Sequence, residues 1–189
     1  MTCIVGYVEK GRVYMGADSC GSNGHNYAIY NRPKLFKIND RFIIGCTGTF
    51  RLIDLLHYGF DPPKITEGYD RNGYMRKDFI PALRKIFQGS RPSRETTNGV
   101  EQFTGPFMVG FDAHLYIVQN DFSVLPAPPH GGSVGSGGEA AEAVLYHCRE
   151  MRMTPAQKVR AALEAAEGTI CSVKGPFEFA EMGALKASL

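Results

Sequence analysis

Runs of apolar residues separated by turn signals predict that the first fifty residues form two β-hairpins. The strands cover 2–9 and 12–17 in the first pair, and 34–38 and 41–47 in the second. Lys10-Gly11 and Asn39-Asp40 separate the strands of each pair, and both dipeptides are typical of tight turns. The polar, glycine-rich stretch 19–26 between the hairpins is predicted to be a loop.

A helical spacing of apolar residues replaces this pattern in the middle of the chain. It predicts helices over 50–60 and 76–88, with Pro81 either in the first turn of the second helix or kinking it. The polar stretch 88–102 is predicted to be a surface loop. Thr154-Pro155-Ala156-Gln157 is a capping box with proline at the first helical position, and it predicts a helix that extends to about residue 167.

The remaining segments complete the order strands, helices, strands, helices, strands. The other predicted strands are 106–111, 114–119, 123–125, 169–173 and 177–180, and a glycine-rich loop over 131–138 leads into a helix over 139–151. This order predicts an α+β fold with a pair of antiparallel sheets and helices outside, rather than a βαβ repeat. With 189 residues, the chain is expected to form one domain over 1–189.

Composition and charge exclude several classes of protein. A content of 43% hydrophobic and 21% charged residues argues against disorder or a coiled coil as the dominant state. The net charge of +2 is too small to indicate nucleic-acid binding, and no apolar run is long enough to cross a bilayer. The first residues lack the basic start and the long apolar run of a secretory signal, so we expect a cytoplasmic protein.

The cysteines point to the same compartment. Their number is odd and no two of them form a CxxC pair, which argues against a disulfide framework or a zinc site. We expect free thiols in a reducing cytoplasm, most of them buried as small hydrophobic groups. The five residues are Cys3, Cys20, Cys46, Cys148 and Cys171.

The two turns also set which polar residues face each other at the ends of the hairpins. In the first hairpin, Thr2 is predicted to lie opposite Asp18 or Ser19. In the second hairpin, a two-residue turn sets Lys34 opposite Gly45. If the hairpins are neighbours, four residues gather at one end of one sheet: Thr2, Asp18, Lys34 and Gly48.

Such a cluster has the components of nucleophilic catalysis. If Met1 is removed, Thr2 carries a free α-amine, whose pKa of about 7.7–8.0 in model peptides allows it to accept the proton of the Thr2 hydroxyl. A Lys34 ammonium would favour deprotonation of both groups, and Asp18 would hold Lys34 charged and oriented. The backbone N–H of Gly48 would suit an oxyanion, because glycine permits close approach of a carbonyl. If Met1 is retained, this mechanism fails.

Four segments of the sequence resemble one family. They read TCIVGYVEKGRVYMGADS, PKLFKI, RFIIGCTG and GSGGEAA, and they resemble β-type proteasome subunits. The bacterial HslV peptidase and related bacterial proteasome homologues are the most similar in style, and the resemblance covers residues 2 to about 179. It implies the four-layer αββα sandwich of the N-terminal-nucleophile hydrolases, with two packed antiparallel sheets and helices outside.

The resemblance also implies an activity and partners. The protein would be a threonine-type endopeptidase that hydrolyses peptides or unfolded proteins inside a homo-oligomeric ring, fed by an ATPase unfoldase. No cofactor is implied, and neither a nucleic acid nor a membrane is an expected partner. Peptide specificity would come from pocket residues near Cys20, Tyr30 and Phe50.

Individual roles follow from the same resemblance. Thr2 matches the nucleophile, Asp18 matches the acidic residue of the GADS segment, and Lys34 matches the lysine before the third strand. Gly48 matches the glycine that supplies the oxyanion N–H. Ser136 matches the serine that steadies the terminal amine. Two further positions match supporting or substrate-contact residues: Ser19 and Thr49.

The sequence departs from the family near the end of the chain. Family members often carry an Asp near the start of the late strand, where Thr169 stands here, and Ser172 would compensate. Gly168 and Cys171 match residues whose backbone carbonyls bind a monovalent cation in some bacterial relatives. Lys174 lies beside them in the sequence and would disfavour a cation.

Two other interpretations compete with a peptidase. GSGGEA matches a loose GxGxxA pattern before a helix, but it lacks the βαβ context and the acidic residue of a dinucleotide site. A GK[ST] phosphate loop is absent, and the five histidines have no metal-ligand spacing. The second interpretation is a non-catalytic ring or scaffold subunit of the same family, which would have no need of an ammonium near its first residue.

Overall fold

The computed structural model of the chain describes residues 2–23, 25–66, 68–88, 95–97 and 99–185. The strands in this part of the chain are β1 (Cys3–Glu9), β2 (Arg12–Ala17), β3 (Cys20–Ser22), β4 (Tyr27–Ile29), β5 (Leu35–Ile38), β6 (Phe42–Cys46), β7 (Glu95–Thr97), β8 (Val100–Gln102), β9 (Phe107–Phe111), β10 (His114–Val118), β11 (Val124–Pro126), β12 (Gly132–Gly135) and β13 (Glu178–Gly183). The helices are α1 (Phe50–Gly59), α2 (Arg71–Tyr74), α3 (Ile80–Gln88), α4 (Gly138–Cys148) and α5 (Pro155–Thr169), and a π-helical turn covers Met75–Phe79.

The first hairpin forms as predicted, from β1 and β2. Lys10 and Gly11 connect the strands with φ angles of 50° and 70°. Two successive residues with positive φ form a type I′ turn, whose twist matches that of the flanking strands. The residues before β1 and after β2 therefore lie at the same end of this hairpin.

This hairpin lies at the centre of a four-stranded antiparallel sheet with the order β12-β1-β2-β13. The predicted loop over 131–138 is wrong in part, because β12 pairs with β1 despite its glycines. The predicted strand over 169–173 is also wrong. α5 continues to Thr169, whose hydroxyl donates to the carbonyl of Ala165 one turn earlier, and the chain then turns before β13.

The second hairpin belongs to a five-stranded antiparallel sheet with the order β11-β10-β9-β6-β5. Its predicted register is wrong by one residue, because Leu35 rather than Lys34 lies opposite Gly45. The connection has three residues instead of two, since Ile38 pairs with Phe42. Lys34 therefore lies just outside the ladder, immediately before the first residue of β5.

The two hairpins lie in different sheets, so the predicted gathering at one end of one sheet is wrong. The sheets instead pack against each other through buried side chains of β1, β2, β5, β6, β9, β10 and β12. Gly45 permits this contact, because a Cβ there would lie 2.5 Å from Cγ2 of Ile4 in the other sheet. The polar residues at the hairpin ends can still meet, but across the interface between the two sheets.

Two predicted loops contain small hairpins. Within 19–26 and the residues that follow, β3 pairs with β4. Within 88–102, β7 pairs with β8, whereas 89–94 and 98 lie outside the described residues. The sequence carried a signal for the β7–β8 hairpin in Asn98-Gly99, because this dipeptide favours a tight turn between two strands.

Helices cover the outer face of each sheet. α4 and α5 pack on the four-stranded sheet, and α1, α2, the π-helical turn and α3 pack on the five-stranded sheet. The predicted capping box of α5 is confirmed, since Thr154 Oγ1 accepts from Gln157 N at 3.2 Å and Gln157 Oε1 accepts from Thr154 N at 2.8 Å. Pro81 lies in the first turn of α3, directly after the π-helical turn, where its missing N–H is tolerated. Within the described residues, no helix is both long enough and apolar enough to cross a bilayer.

A buried carboxylate joins three distant parts of the chain. Asp112, in the turn between β9 and β10, accepts hydrogen bonds from the Tyr69 hydroxyl at 2.8 Å, from Arg71 Nε and from Leu185 N at 2.9 Å. Burial alone would raise the pKa of Asp112. The hydrogen bonds from Arg71, Tyr69 and Leu185 outweigh burial and hold the pKa below its ordinary value.

We predict that Asp112→Asn lowers the free energy of unfolding by about 2 kcal/mol at pH 7, because the hydrogen bonds to a charged acceptor are weakened. Asparagine tolerates the φ of +44° at this position, so backbone strain does not contribute. The pKa of Asp112 is lower in the folded state, so its stabilisation is complete above the unfolded pKa of about 3.9 and disappears as pH falls through the folded value.

Urea unfolding of both proteins between pH 7 and pH 2 measures this difference. Asp78→Ala, on the exposed side of the π-helical turn, is the control and should change stability by less than about 0.5 kcal/mol. A difference between Asp112→Asn and wild type that stays constant down to pH 2 would contradict the assigned role of the carboxylate.

Candidate active site

A buried ion pair lies where the ends of the two hairpins meet. Lys34 Nζ is 2.9 Å from Asp18 Oδ1, and the two side chains are 3% and 0% exposed. Asp18 directly follows β2 of one sheet, and Lys34 directly precedes β5 of the other. The pair therefore joins the two sheets, although neither residue belongs to a strand.

Backbone groups satisfy the rest of this pair. Asp18 Oδ1 also accepts from Cys3 N at 2.8 Å, and Asp18 Oδ2 accepts from Cys20 N at 3.0 Å. Lys34 Nζ donates to the carbonyl of Cys20 at 2.6 Å. Removing two charges from water is costly unless further hydrogen bonds complete their coordination, and here the main chain around Asp18 supplies them.

Thr2 lies beside this pair, since it directly precedes the Cys3 amide that Asp18 binds. Ser136 Oγ contacts Thr2 from the other side, 3.2 Å from Thr2 N and 3.3 Å from Thr2 O. Gly135 makes this contact possible. Its φ is +100°, and a Cβ on it would lie 2.2 Å from the carbonyl oxygen of Thr2.

Gly48 also occupies a position that only glycine fits. Its φ is +87°, and a Cβ would lie 2.2 Å from the carbonyl oxygen of Thr104. Close packing on residues 104 and 105 is therefore one reason for glycine here, independent of any chemistry. Thr49, the next residue, caps α1, because its hydroxyl accepts from Leu52 N at 3.3 Å.

Ser19 is bound to the segment that precedes β13. Its N–H donates to the carbonyl of Lys174 at 3.0 Å, and its hydroxyl donates to the carbonyl of Pro176 at 2.6 Å. Ser19 is thus a structural neighbour of Asp18, with both its N–H and its hydroxyl committed to the late segment. Ser172, in the same segment, is buried.

The late segment differs from the prediction at Thr169 and around the candidate cation loop. Thr169 lies at the end of α5 rather than in a strand, so its hydroxyl is bound within the helix. Gly168 lies in the last turn of α5, and Cys171 is exposed. Lys174 Nζ donates to the carbonyl of Glu167 at 3.4 Å, so an ammonium already complements this helix end. A positive charge so close to this helix end would disfavour a monovalent cation there. Among the side chains of the described residues, no group of three His, Cys, Asp or Glu could hold a metal ion.

Two cysteine thiols near Asp18 have pKa values above the ordinary value of a thiol. Burial, and then the charge of Asp18, raises the pKa of Cys3 to about 12. The same two causes raise the pKa of Cys20. Because the thiolate is the reactive form, the raised pKa values disfavour reaction at both residues, which are small buried groups whose amides bind Asp18.

Three residues that contact this site were not assigned to it from the sequence. Cys20 contributes through its carbonyl, which no side-chain pattern reveals. Gly135 had a signal in the GSGG segment, where a glycine before Ser136 allows positive φ. Glu178, whose Oε2 accepts from Lys34 N at 3.2 Å, looked like an ordinary polar position of a late strand.

Comparisons with known proteins identify the architecture. No protein-family model and no curated protein matches the chain. The solved structure of BPH from Thiobacillus denitrificans is 15% identical with a TM-score of 0.77, and the match covers 98% of this chain and 99% of that one. BPH in complex with epoxomicin is 16% identical with a TM-score of 0.75, covering 97% and 100%. Eukaryotic HslV from Trypanosoma brucei is 16% identical with a TM-score of 0.68, covering 96% and 99%.

The chain has a proteasome-like fold of the HslV type. At these identities the HslV likeness establishes the fold alone. The chemistry therefore depends on the residues that this HslV fold brings together in the present chain.

We predict that Asp18→Ala lowers the free energy of unfolding by about 3–5 kcal/mol, because it leaves the buried Lys34 ammonium without its carboxylate. Lys34→Met in the same chain should recover part of this loss, since an apolar side chain then replaces the charge. The double variant should therefore cost less than the sum of the single variants by about 2 kcal/mol.

Urea unfolding followed by circular dichroism measures this coupling, which suits a chain without tryptophan. The matched control is the exposed pair of Arg12 and Glu181, whose charged atoms are 2.8 Å apart. Its double-mutant cycle should give less than about 1 kcal/mol. If the losses in free energy of unfolding for Asp18→Ala and Lys34→Met are additive, the buried pair is not energetically coupled and the prediction is wrong.

Proposed function

We propose that the protein is a threonine-type peptidase whose nucleophile is the hydroxyl of Thr2, exposed when Met1 is removed. The observation that carries this proposal is the position of Asp18 Oδ1, which accepts hydrogen bonds from Lys34 Nζ and from the amide directly after Thr2. A buried ammonium and a buried carboxylate beside Thr2 are costly to bury in a purely structural role.

The proposed reaction begins with proton transfer within one residue. The free α-amine of Thr2 takes the hydroxyl proton as Oγ1 attacks the carbonyl carbon of the peptide. The carbonyl oxygen becomes an oxyanion, which the N–H of Gly48 stabilises. Collapse of the intermediate returns the proton to the leaving amine and leaves an acyl ester on Thr2. Water then attacks the ester and passes a proton to the α-amine. This proton moves to Thr2 Oγ1 as the ester bond breaks, so the carboxylic acid product is released and the hydroxyl and the free amine of Thr2 are restored.

The other residues of the site have supporting roles in this proposal. The Lys34 ammonium stabilises negative charge that develops on Thr2 Oγ1, and Asp18 holds that ammonium in place. Ser136 keeps the nitrogen of Thr2 oriented through the contact at 3.2 Å. With Met1 attached, the nitrogen of Thr2 is part of a peptide bond and cannot act as a base.

The proposal extends to architecture and partners. The layers would form the αββα sandwich of one N-terminal-nucleophile hydrolase domain, assembled into a closed homo-oligomeric ring in the cytoplasm and fed by an ATPase unfoldase. Peptides or unfolded proteins would be the substrates. Near Cys20, the rings of Tyr30 and Phe50 contact each other edge to face with centroids 5.3 Å apart, and they would line the specificity pocket.

We predict that Thr2→Ala folds and assembles like the wild type but hydrolyses fluorogenic peptides about a thousand-fold more slowly or worse, because it lacks the attacking oxygen. Thr2→Ser is the matched control, since serine keeps both the hydroxyl and the amine. It should retain measurable turnover and react with a peptide epoxyketone or boronate, as should wild type.

Intact-mass measurement shows whether Met1 is removed, which the proposed mechanism requires. The active protein should lack the mass of one methionine, and the covalent adduct should map to Thr2. Full turnover by Thr2→Ala, or activity in material that keeps Met1, would refute the proposed nucleophile. A wild-type ring that neither hydrolyses peptides nor reacts with the probe would favour the non-catalytic ring subunit instead.

A further inference from the structure

The segment before β13 holds the chain next to Asp18. The carbonyls of Lys174 and Pro176 accept the N–H and the hydroxyl of Ser19, at 3.0 and 2.6 Å. This segment is in turn tied to the end of α5, because Gly175 N donates to Glu167 Oε1 at 2.9 Å. The carboxylate side of the buried ion pair is thus fixed by residues from the end of the chain.

Glu178, four residues after Lys174, reaches the lysine side of the same pair. It is the first residue of β13 and lies opposite Ala17, the residue before Asp18. Glu178 Oε2 accepts the backbone N–H of Lys34 at 3.2 Å. This hydrogen bond crosses from the edge strand of the four-stranded sheet to the residue before β5, which is the edge strand of the five-stranded sheet.

The pKa of Glu178 depends on its burial and on the groups of the neighbouring ion pair. Burial raises the pKa of Glu178, while the backbone amides of Lys34 and Leu35 and the Lys34 charge act to lower it, and Asp18 acts to raise it. Both members of the ion pair therefore act on the pKa of Glu178. A half-buried carboxylate with two main-chain donors is a fixed acceptor rather than a solvated side chain.

We propose that Glu178 is a positioning residue for Lys34, which holds the main chain of this lysine at the sheet edge and so sets the place of its ammonium beside Asp18 and Thr2. This inference rests on the proposed peptidase function. The main chain of Lys34 needs a hydrogen-bond partner from outside its own sheet. Lys34 lies just outside β5, and its carbonyl accepts from Cys46 N at 2.8 Å. Its N–H is held by Glu178 from the other sheet.

Three substitutions separate the reach of this side chain from its charge. Glu178→Ala removes the acceptor, Glu178→Asp keeps the charge but withdraws the oxygens by one methylene, and Glu178→Gln keeps an oxygen at the same reach without the charge. Glu181→Ala is the matched control, because Glu181 lies on the same strand in an exposed ion pair with Arg12.

We expect kcat for a fluorogenic peptide to fall about 10- to 100-fold in Glu178→Ala and Glu178→Asp, with KM changed less than about twofold, because a displaced lysine affects the transition state rather than peptide binding. Glu178→Gln should retain kcat within about threefold of wild type, and Glu181→Ala should equal wild type. If Glu178→Ala does not fold, the kcat of Glu178→Asp compared with that of Glu178→Gln still tests whether Glu178 positions Lys34.

Amide hydrogen exchange at Lys34 provides a readout that does not depend on activity. Exchange should be about tenfold faster or more in Glu178→Ala and Glu178→Asp than in wild type or Glu178→Gln. The inference is overturned if Glu178→Asp keeps wild-type kcat, if Glu178→Gln is as impaired as Glu178→Asp, or if exchange at Lys34 is unchanged in both shortened variants. Wild-type protein that lacks any peptidase activity refutes the proposed function, and exchange then reports on the contact alone.

Discussion

The contact between Lys34 and Asp18 imposes the strictest requirement on this fold. Two opposite charges with almost no exposure to water must be brought together from separate sheets, and each must find further partners. The main chain meets this requirement. The amides of Cys3 and Cys20 bind the carboxylate, and the carbonyl of Cys20 binds the ammonium. The chain around Thr2 and the bend after Asp18 are thereby fixed in position relative to β5.

Close backbone approaches make that arrangement sterically possible. Gly45 lets the two sheets touch beside Ile4, and Gly135 lets β12 close on the carbonyl of Thr2. Gly48 does the same against residue 104. Each of these glycines meets another part of the chain that a methyl group would overlap, so the packing of the sheets and the shape of the site depend on the same positions. The architecture and the candidate chemistry are therefore not separable by mutation at these glycines.

Local sequence signals predicted the parts of the fold that local forces determine. The type I′ turn at Lys10-Gly11 and the capping box at Thr154 formed as expected, because their hydrogen bonds lie within a few residues. The register of the second hairpin was one residue off, since the sequence does not distinguish a two-residue from a three-residue connection. The sheet to which each hairpin belongs depends on tertiary packing, and so does Glu178, whose acceptor role arises only when two sheet edges meet.

The exposure of the thiols has a practical consequence. Cys171 is exposed, whereas Cys3, Cys20, Cys46 and Cys148 are buried. A maleimide dye added to the native protein would therefore attach at one place without any engineering of the sequence. That place is three residues before Lys174, whose carbonyl binds Ser19, so the emission of the dye would report on movements of the support behind the ion pair.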